Sequence, residues 1–485
     1  MNRSLLVLVL VIVSSKTYAQ DFEKAYSSFR QQAMEGYNAF RNKCNKEYAD
    51  FVEKAWQQFN SQPPKIKPIR DTPVPPIPYE EQDCSIKEKE LPYSEIVPVV
   101  PPAPQPKPVE PIKEQPQPEE ETFTFSFYGT EGIVRLSDRH RFKLNDTSEE
   151  GVANAWRILS DNKYDNIIRD CLELRIKHAL CDWAYLQMLV ELGNSYFGKE
   201  TNEAVLFTAY LYCQSGYGMR LGRGTSSRLY LMVSTRYSIY GMSYYRIDGE
   251  DFYPLNCQEG TMFVCNIPFP NEKPLSLYVS QELHFADCKA DNRMLQSKQY
   301  PQLNVSLQGN ENLIAFFNSY PSSQLGENFM THWAMYANAP LAHGIKEELY
   351  PKLREAIQGK TQNEAANMLL NFVQTAFVYE YDEKVWGKDR AFFAEESLYY
   401  PYCDCEDRSI LFSRLVRDLL GLKVVLVYYP GHLATAVQFA DKVTGDFIVL
   451  NGSRFTVCDP TYIGAPVGAT MPDMDNAGAK VILLD

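Results

Sequence analysis

The chain has 485 residues, enough for two to four domains, and 45% of them are hydrophobic, enough to build packed cores. Its formal net charge of −13 and isoelectric point of about 5.2 argue against nucleic acid or an anionic membrane surface as the main partner. Eleven cysteines in a chain of this length do not make a disulfide-rich scaffold, and an odd number leaves at least one thiol free or paired with another chain.

Residues 1–19 have the pattern of a secretory signal peptide. Arg3 precedes an apolar run from Leu5 to Val13, and residues 17–19 offer a small-residue cleavage site. No later apolar run reaches the ~18 residues needed to span a membrane. The sequence therefore predicts an exported protein, periplasmic or extracellular, without a transmembrane anchor.

Residues 20–60 carry apolar positions with an eleven-residue period. Positions 22, 26 and 29 recur as 33, 37 and 40, and again as 44, 48 and 51. This period predicts one long helix with a nearly straight apolar stripe. Such a stripe needs a cover, which self-association through residues 22–59, packing on the globular part or an envelope partner could supply. We favour self-association, as in a coiled coil.

Residues 61–121 form a proline-rich linker. The segment from Pro63 to Pro118 holds 17 of the 30 prolines, mixed with Lys, Glu and Gln. This composition cannot build a packed core and predicts a semi-rigid spacer of polyproline type. We expect it to be solvated and to separate the first helix from the globular part.

Two units are predicted after the linker. Residues 122–254 predict an α+β module, and residues 255–330, with short apolar runs between Pro, Asn and Gly, predict a small β unit. The predicted elements of the first unit are strands at 122–129 and near 141–144, followed by helices at 148–159 and from 164 to about 197.

The α+β module contains a stretch that matches the C-terminal part of the chain. Shifted by 205 residues, Leu206 aligns with Leu411 and Gly216 with Gly421, while Glu200 falls opposite Cys405. One interpretation is a degenerate second copy of the C-terminal unit. The other is that any buried helix that ends at Gly before a strand matches in this way. In both cases we expect a binding or support module.

The stretch from Tyr400 to Gly421 predicts a buried helix with a thiol in its first turn. Asp404 is a suitable N-cap and Gly421 fits the left-handed position after the last turn, so the helix starts close to Cys405. Unpaired N–H groups and the positive end of the helix dipole favour a thiolate there. The two acidic residues that follow oppose this effect, so a strongly lowered pKa would also need a cationic partner.

His432 and Asp459 follow Cys405 at equal steps of 27 residues. Leu422–Tyr429 and His432–Phe439 predict a β-hairpin with His432 at its mouth, and a further strand leads to Asp459. A helix that carries the thiol at its start, packed on antiparallel strands, can bring the three groups into line. Alone, each residue has an ordinary structural interpretation: a core or disulfide thiol, a structural histidine, a turn aspartate. The combination favours a catalytic triad.

The motif DCEDRSILFSRLVRDLLGLKVVLVYYPGHLATAVQF, followed by CDPTYI, resembles the transglutaminase-like superfamily, a branch of the papain-like cysteine enzymes. It is most similar to bacterial members with an Asp-Cys-Glu-Asp nucleophile motif, over roughly residues 362–469. The resemblance implies Cys405 as nucleophile, His432 as general base and acid, and Asp459 as the residue that orients the imidazole. Leu433 departs from the aromatic residue that many relatives carry, which puts the shape of the acceptor site in doubt.

The resemblance sets the expected architecture. Residues 331–485 would form a transglutaminase-like catalytic domain of α+β class, preceded by the support module, the small β unit, the linker and the long helix. Gln374 is a candidate oxyanion donor, as glutamines are in papain-like enzymes, although a packing role is the simpler interpretation. Cys403 could act as a resolving or regulatory thiol.

The expected function is that of an exported cysteine-dependent peptidase, amidase or acyltransferase that acts on amide bonds through a thioester. Water would resolve the thioester in hydrolysis and an amine in crosslinking, and bacterial relatives favour hydrolysis. The expected partner is a protein or peptide substrate, with a peptidoglycan peptide among the candidates. No cofactor is needed, and the six histidines lack metal-site spacing. The alternative is a non-catalytic envelope protein that keeps this fold for binding or assembly.

Overall fold

The computed structural model describes residues 35–68, 71–80, 88–100 and 120–485, and the predicted signal peptide lies outside them. The architecture is mixed α+β, with two large sheets that share one hydrophobic core with the helices. Within the described ranges, no helix combines the length and the apolar character needed to cross a bilayer.

The first helix, α1, covers residues 35–52 in the described part of the chain. The prediction of one helix over residues 20–60 is wrong at its end, because Trp56–Asn60 forms strand β1. These five residues pair with an edge of the first large sheet, which satisfies backbone groups that a longer helix would leave unpaired at that edge. Residues 20–34 lie outside the described part.

The buried face of α1 is turned relative to the predicted stripe. Phe40 and Phe51 are 47% and 48% exposed, whereas Arg41, Tyr48 and Val52 are buried. The buried positions follow the three-to-four spacing of an ordinary amphipathic helix rather than an eleven-residue repeat.

Helix α1 packs on the globular part of the same chain. The Arg41 guanidinium forms an ion pair with Asp165 at 2.8 Å, and the ring of Tyr48 lies 4.7 Å from that of Trp156. Asn45 and Gln214 exchange two amide hydrogen bonds, of 3.0 and 3.1 Å. Self-association was our expectation for residues 22–59, but the described part of the buried face is covered within the chain.

The described parts of the predicted linker are not a free spacer. Residues 61–68, 71–80 and 88–100, here called the strap, lie against the globular part and include strands β2 (Lys89–Glu90) and β3 (Glu95–Val97). Leu91, Val97 and Val100 are buried. The composition argument missed this because the apolar residues between the prolines fit a surface formed by distant parts of the chain.

The N-terminal module, residues 123–265, is built from four helices and eight strands, with 3₁₀ helices at Asp138–His140 and Asn162–Tyr164. In chain order these are β4 (Phe123–Phe127), β5 (Thr130–Val134), α2 (Glu149–Leu159), α3 (Asp165–Lys177), α4 (Asp182–Phe197), α5 (Asn202–Gln214), β6 (Met219–Gly224), β7 (Leu229–Ser234), β8 (Tyr237–Ile239), β9 (Tyr245–Ile247), β10 (Glu250–Pro254) and β11 (Thr261–Cys265).

A connecting region follows, in which the hairpin β12–β13 and strand β14 do not join either large sheet. Its elements are β12 (Arg293–Gln296), β13 (Asn304–Leu307), α6 (Glu311–Ser319), β14 (Ser323–Leu325), α7 (Thr331–Asn338) and α8 (His343–Ile357).

The C-terminal module, residues 362–485, carries the predicted catalytic residues. Its elements are α9 (Gln362–Thr375), β15 (Val378–Tyr379), α10 (Asp382–Trp386), α11 (Ala394–Tyr399), β16 (Tyr402–Cys403), α12 (Cys405–Leu420), β17 (Lys423–Tyr429), β18 (His432–Gln438), β19 (Asp446–Leu450), β20 (Ser453–Cys458) and β21 (Lys480–Leu483).

The predicted small β unit, residues 255–330, is not a separate unit. Strand β11 belongs to the first large sheet, and β14 pairs with β8 of the N-terminal module. The strand predicted near 141–144 is also wrong, because these residues form no strand. Strand β4 pairs with β5, which follows it closely in the chain. A tight hairpin is closed at less entropic cost than a pairing across a longer loop.

The two large sheets have the same strand order. The first runs β1-β11-β6-β7-β10-β9, and the second runs β3-β21-β17-β18-β20-β19-β2. In each sheet, a buried helix (α5 or α12) comes first and is followed by a hairpin (β6–β7 or β17–β18). A second antiparallel pair (β9–β10 or β19–β20) then extends the sheet on one side of this hairpin. The last strand (β11 or β21) pairs on its other side. The four pairings within each five-strand set are antiparallel. Residues 56–60 supply the edge strand β1, and the strap supplies β2 and β3.

Candidate active site

Helix α12 begins at Cys405, with Asp404 as N-cap and Gly421 in the left-handed conformation after its last turn, as the sequence predicted. Cys405 is 2% exposed, and its Sγ lies 3.2 Å from Oε2 of Glu406. None of the ten cysteines in the described part of the chain forms a disulfide bond with another described residue. The start of the helix therefore carries the Cys405 side chain as a thiol, and the adjacent carboxylate disfavours its ionised form.

His432 and Asp459 form a buried pair. His432 is the first residue of β18 and Asp459 directly follows β20, two neighbouring strands of the sheet. Nε2 of His432 lies 2.9 Å from Oδ2 of Asp459. Because a carboxylate only accepts hydrogen bonds, this contact places the imidazole proton on Nε2 and leaves the lone pair on Nδ1. Among the described residues, Nδ1 is buried without a hydrogen-bond partner.

A hydrogen bond fixes α12 against the strand that carries His432. The Ser409 hydroxyl donates to the carbonyl oxygen of Leu433 at 2.8 Å. Cys405 precedes Ser409 by four residues, so both side chains lie on one face of the helix, with Cys405 one turn nearer its start. Strand β17 follows α12 after two residues and pairs antiparallel with β18, so the starts of α12 and β18 lie at the same end of this unit.

Gln374 does not point an amide into the site. Its Nε2 donates to the carbonyl oxygens of Asp459, Tyr462 and Ala465 at 2.8–3.1 Å, and its Oε1 accepts from the N–H of Gly464. All of its polar atoms are used to hold the loop after β20. These contacts fit the packing role given above as the simpler interpretation of Gln374, and the side chain positions the aspartate loop.

Two tyrosines near the thiol were missed by the sequence reasoning. Tyr379 and Tyr381 are both affected electrostatically by Cys405, and burial raises the pKa of both phenols. The Tyr379 hydroxyl is buried without a hydrogen-bond partner among the described residues. Strand β15, which contains Tyr379, pairs with β16, two residues before the thiol. The alternation in Val378–Tyr381 was the available signal.

A cluster of carboxyl groups surrounds the start of α12. Ligand oxygens of Asp382, Asp404 and Asp407 lie within 4.8 Å of one another, as do those of Asp382, Asp389 and Glu406. Burial and the neighbouring carboxylates raise the pKa of Asp404 and of Asp407 well above the usual range. Oxygen ligands at this spacing could hold a divalent cation such as Ca²⁺. Sequence reasoning considered only histidine spacing and missed this cluster.

No family model matches the chain, and neither a curated protein nor a solved structure matches it. The site is therefore interpreted from its own geometry.

The strap lies beside the histidine end of the site. The N–H of Val74 donates to the carbonyl oxygen of Gly431 at 2.9 Å, and the Asp71 carboxylate accepts from the Tyr428 hydroxyl at 2.7 Å. Further along, Tyr79 packs edge-on against Tyr462, in the loop after Asp459. The strap thus borders both the histidine and the aspartate of the candidate site.

The candidate catalytic groups are closed to solvent. Cys405, His432 and Asp459 are 2%, 1% and 2% exposed. A substrate carbonyl can reach the thiol only after part of this cover moves.

Proposed function

We propose that the protein is an exported cysteine-dependent peptidase, amidase or acyltransferase whose C-terminal module is a transglutaminase-like domain. The observation that carries the proposal is the buried His432–Asp459 pair, with the imidazole lone pair on Nδ1, next to the helix that starts at Cys405. The unused Nδ1 fits a general base.

The proposed reaction proceeds in two stages. His432 Nδ1 takes the thiol proton, and the Cys405 sulfur attacks the amide carbonyl to give a tetrahedral intermediate. The C–N bond then breaks, the imidazolium returns its proton to the leaving amine, and a thioester remains on the sulfur. Asp459 keeps the ring oriented and stabilises its protonated form. The unpartnered Tyr379 hydroxyl is a donor for the oxyanion.

The second stage decides between hydrolysis and transamidation. His432 would deprotonate either a water molecule or an acceptor amine, which attacks the thioester and releases the thiol. Proteins and peptides, including peptidoglycan peptides, are the proposed substrates. The buried site by itself favours neither water nor an amine as the acceptor. The choice between hydrolysis and transamidation therefore depends on which of the two reaches the thioester when the residues that cover the site move.

The test is the pH dependence of Cys405 alkylation by iodoacetamide, followed residue by residue with mass spectrometry. It is run on the natural chain and on Gly431→Ala, which is designed to loosen the strap next to His432. We expect His432→Ala to slow Cys405 alkylation at neutral pH by at least tenfold in the loosened chain. His332→Ala, which removes another buried histidine, should have no such effect.

The second candidate function is a non-catalytic binding or assembly protein that retains the fold. The observation that favours it is the closure of the site, with all three groups at most 2% exposed. Under this function, Cys405 in the Gly431→Ala chain would react no faster than a model thiol, and His432→Ala would leave the rate unchanged.

A further inference from the structure

A large cavity lies in the N-terminal module, outside the candidate active site. Its volume is about 790 Å³, and its walls include Glu200, Arg228, Tyr230, Asn256 and Gln258. It lies where three elements meet: just before α5, at the start of β7 and just after β10. In the C-terminal module the corresponding positions carry Cys405, His432 and Asp459.

The correspondence also holds for the first residues of the helix and of the strand. Asn202 is the first residue of α5 and Leu229 the first residue of β7, and the Asn202 amide oxygen accepts from the Leu229 N–H at 2.8 Å. Cys405 and His432 are the first residues of α12 and β18, and each lies 203 residues after its counterpart. The element boundaries therefore place Asn202, not Glu200, opposite the thiol.

The cavity has no catalytic chemistry of its own at these positions. Asn202 and Leu229 replace the thiol and the imidazole, and Leu255, after β10, stands where the C-terminal module has Asp459. Loss of these groups removes covalent catalysis, but the concave space remains.

We propose that this cavity is a non-catalytic binding site for an extended polypeptide. The side chains of Ser243, Asn256 and Gln258 both donate and accept hydrogen bonds, as a peptide backbone requires. The Arg228–Glu200 ion pair lies in the wall, and its side chains are 36% and 39% exposed. The guanidinium is therefore accessible to a ligand carbonyl or carboxylate.

The rim of the cavity already pairs with an extended backbone. Residues 241–243 line the cavity, and the strap runs beside them. The Gly241 N–H donates to the carbonyl oxygen of Lys65 at 3.0 Å, and the N–H of Gln62 donates to the carbonyl oxygen of Tyr244 at 2.6 Å. The strap therefore occupies these rim groups, and its pairing shows that an extended backbone fits beside the cavity.

The strap also gives the length of chain that reaches both sites. Gln62 pairs beside the cavity and Val74 pairs beside His432. Twelve residues at no more than about 3.4 Å each span at most roughly 40 Å. A bound polypeptide of about a dozen residues would thus reach from the cavity to the Cys405 site. That it is the substrate of that site rests on the proposed function, whereas binding in the cavity does not.

The test uses the full chain with Cys405→Ala, so that binding is measured without turnover. Cys257 lines the cavity and Cys288 is exposed elsewhere, so their iodoacetamide alkylation rates give a site and a control in one molecule. The probe is reduced, S-carboxymethylated β-casein, a disordered polypeptide. At saturating probe we expect Cys257 alkylation to slow at least fivefold and Cys288 alkylation to remain unchanged.

Two comparisons make the result decisive. Arg228→Ala should abolish the protection of Cys257, whereas Arg169→Ala, at an exposed ion pair on α3, should retain it. Equal alkylation of Cys257 with and without probe, or full protection in Arg228→Ala, would overturn the proposal. Equal protection by free amino acids at the same residue concentration would also overturn it, because the site would then bind a small molecule.

Discussion

At the scale of single residues, the C-terminal module keeps several carboxyl groups away from water. Glu395 is 3% exposed, its Oε2 accepts from the Ala342 N–H at 2.8 Å, and burial raises its pKa to about 7. Because the raised pKa means that the folded state binds this proton more tightly than the unfolded state, Glu395 lowers stability as pH rises from about 4.5 to 7.

Glu395→Gln should remove this pH dependence. The free energy of unfolding at pH 8, relative to pH 5, should be higher in the variant than in the natural chain by an amount on the order of 3 kcal/mol or less. Thermal and denaturant unfolding between pH 4 and pH 8 measure the difference. The matched control is Glu355→Gln, at an exposed position. A variant curve parallel to that of the natural chain over this range would contradict the expected role of Glu395.

The candidate site also shows what single residues reveal in a sequence. Cys405, His432 and Asp459 could be proposed because each stands at a local boundary, the start of a helix, the mouth of a hairpin and the end of a strand, which short-range rules predict. The role of Gln374 could not, because its three acceptors lie 85–91 residues away. No local pattern shows which carbonyl groups a distant amide will meet.

At the scale of elements, the strap lies against the turn that precedes His432. Gly431 has a φ of +79°, and a Cβ at this position would overlap the carbonyl oxygen of Thr72. The overlap is with backbone, so no rotamer change relieves it, and the strap itself must move. Gly452 has a similar φ of +76°, and a Cβ there would meet no described atom within 4 Å.

Gly431→Ala should therefore displace the strap, whereas Gly452→Ala should not. Both variants carry the same left-handed strain of roughly 1–2 kcal/mol, so stability loss alone does not distinguish them. We expect Gly431→Ala to increase proteolysis within residues 61–100 and the alkylation rate of Cys405 by at least threefold. Equal changes in the two variants would mean that strain, and not contact with the strap, controls access.

The difference between local and long-range contacts explains which elements can be predicted from the sequence. The β17–β18 hairpin and α12 follow from alternation, a Pro-Gly turn and caps within about 40 residues. Strands β2 and β3 pair with β19 and β21 at the far end of the chain, in a segment whose composition favours a solvated tether. Edge pairing with a distant strand depends on which edge is open, and this is a property of the assembled sheet.

At the scale of the whole molecule, α1 is joined to the N-terminal module through a buried ion pair. The side chains of Arg41 and Asp165 are each 3% exposed. Burial raises the pKa of Asp165 more than the guanidinium lowers it. The free-energy cost of desolvating the two charges therefore offsets much of the favourable energy of the ion pair. The main contribution of the pair to stability is therefore that each charge neutralises the other, because removal of either one would leave a buried, unpaired charge.

Asp165→Asn should destabilise the chain by about 3–5 kcal/mol, because the Arg41 charge would remain buried without a counter-charge. The double variant Arg41→Met with Asp165→Leu should recover most of this loss. Denaturant unfolding measures both, with Arg169→Met at an exposed pair as the control. A double variant as unstable as the single one would show that the ion pair itself, and not the avoided lone charge, holds α1 in place.

The edge strands of the second sheet have a consequence for how the molecule is made. Lys89 pairs with Asp446 and Glu95 with Lys480, so these two early segments have no partner until residues far later in the chain have been synthesised. The sheet that carries His432 can close only after β21 has been made. A nascent chain that has not reached β21 would thus leave β3 without a partner and β17 with an open edge.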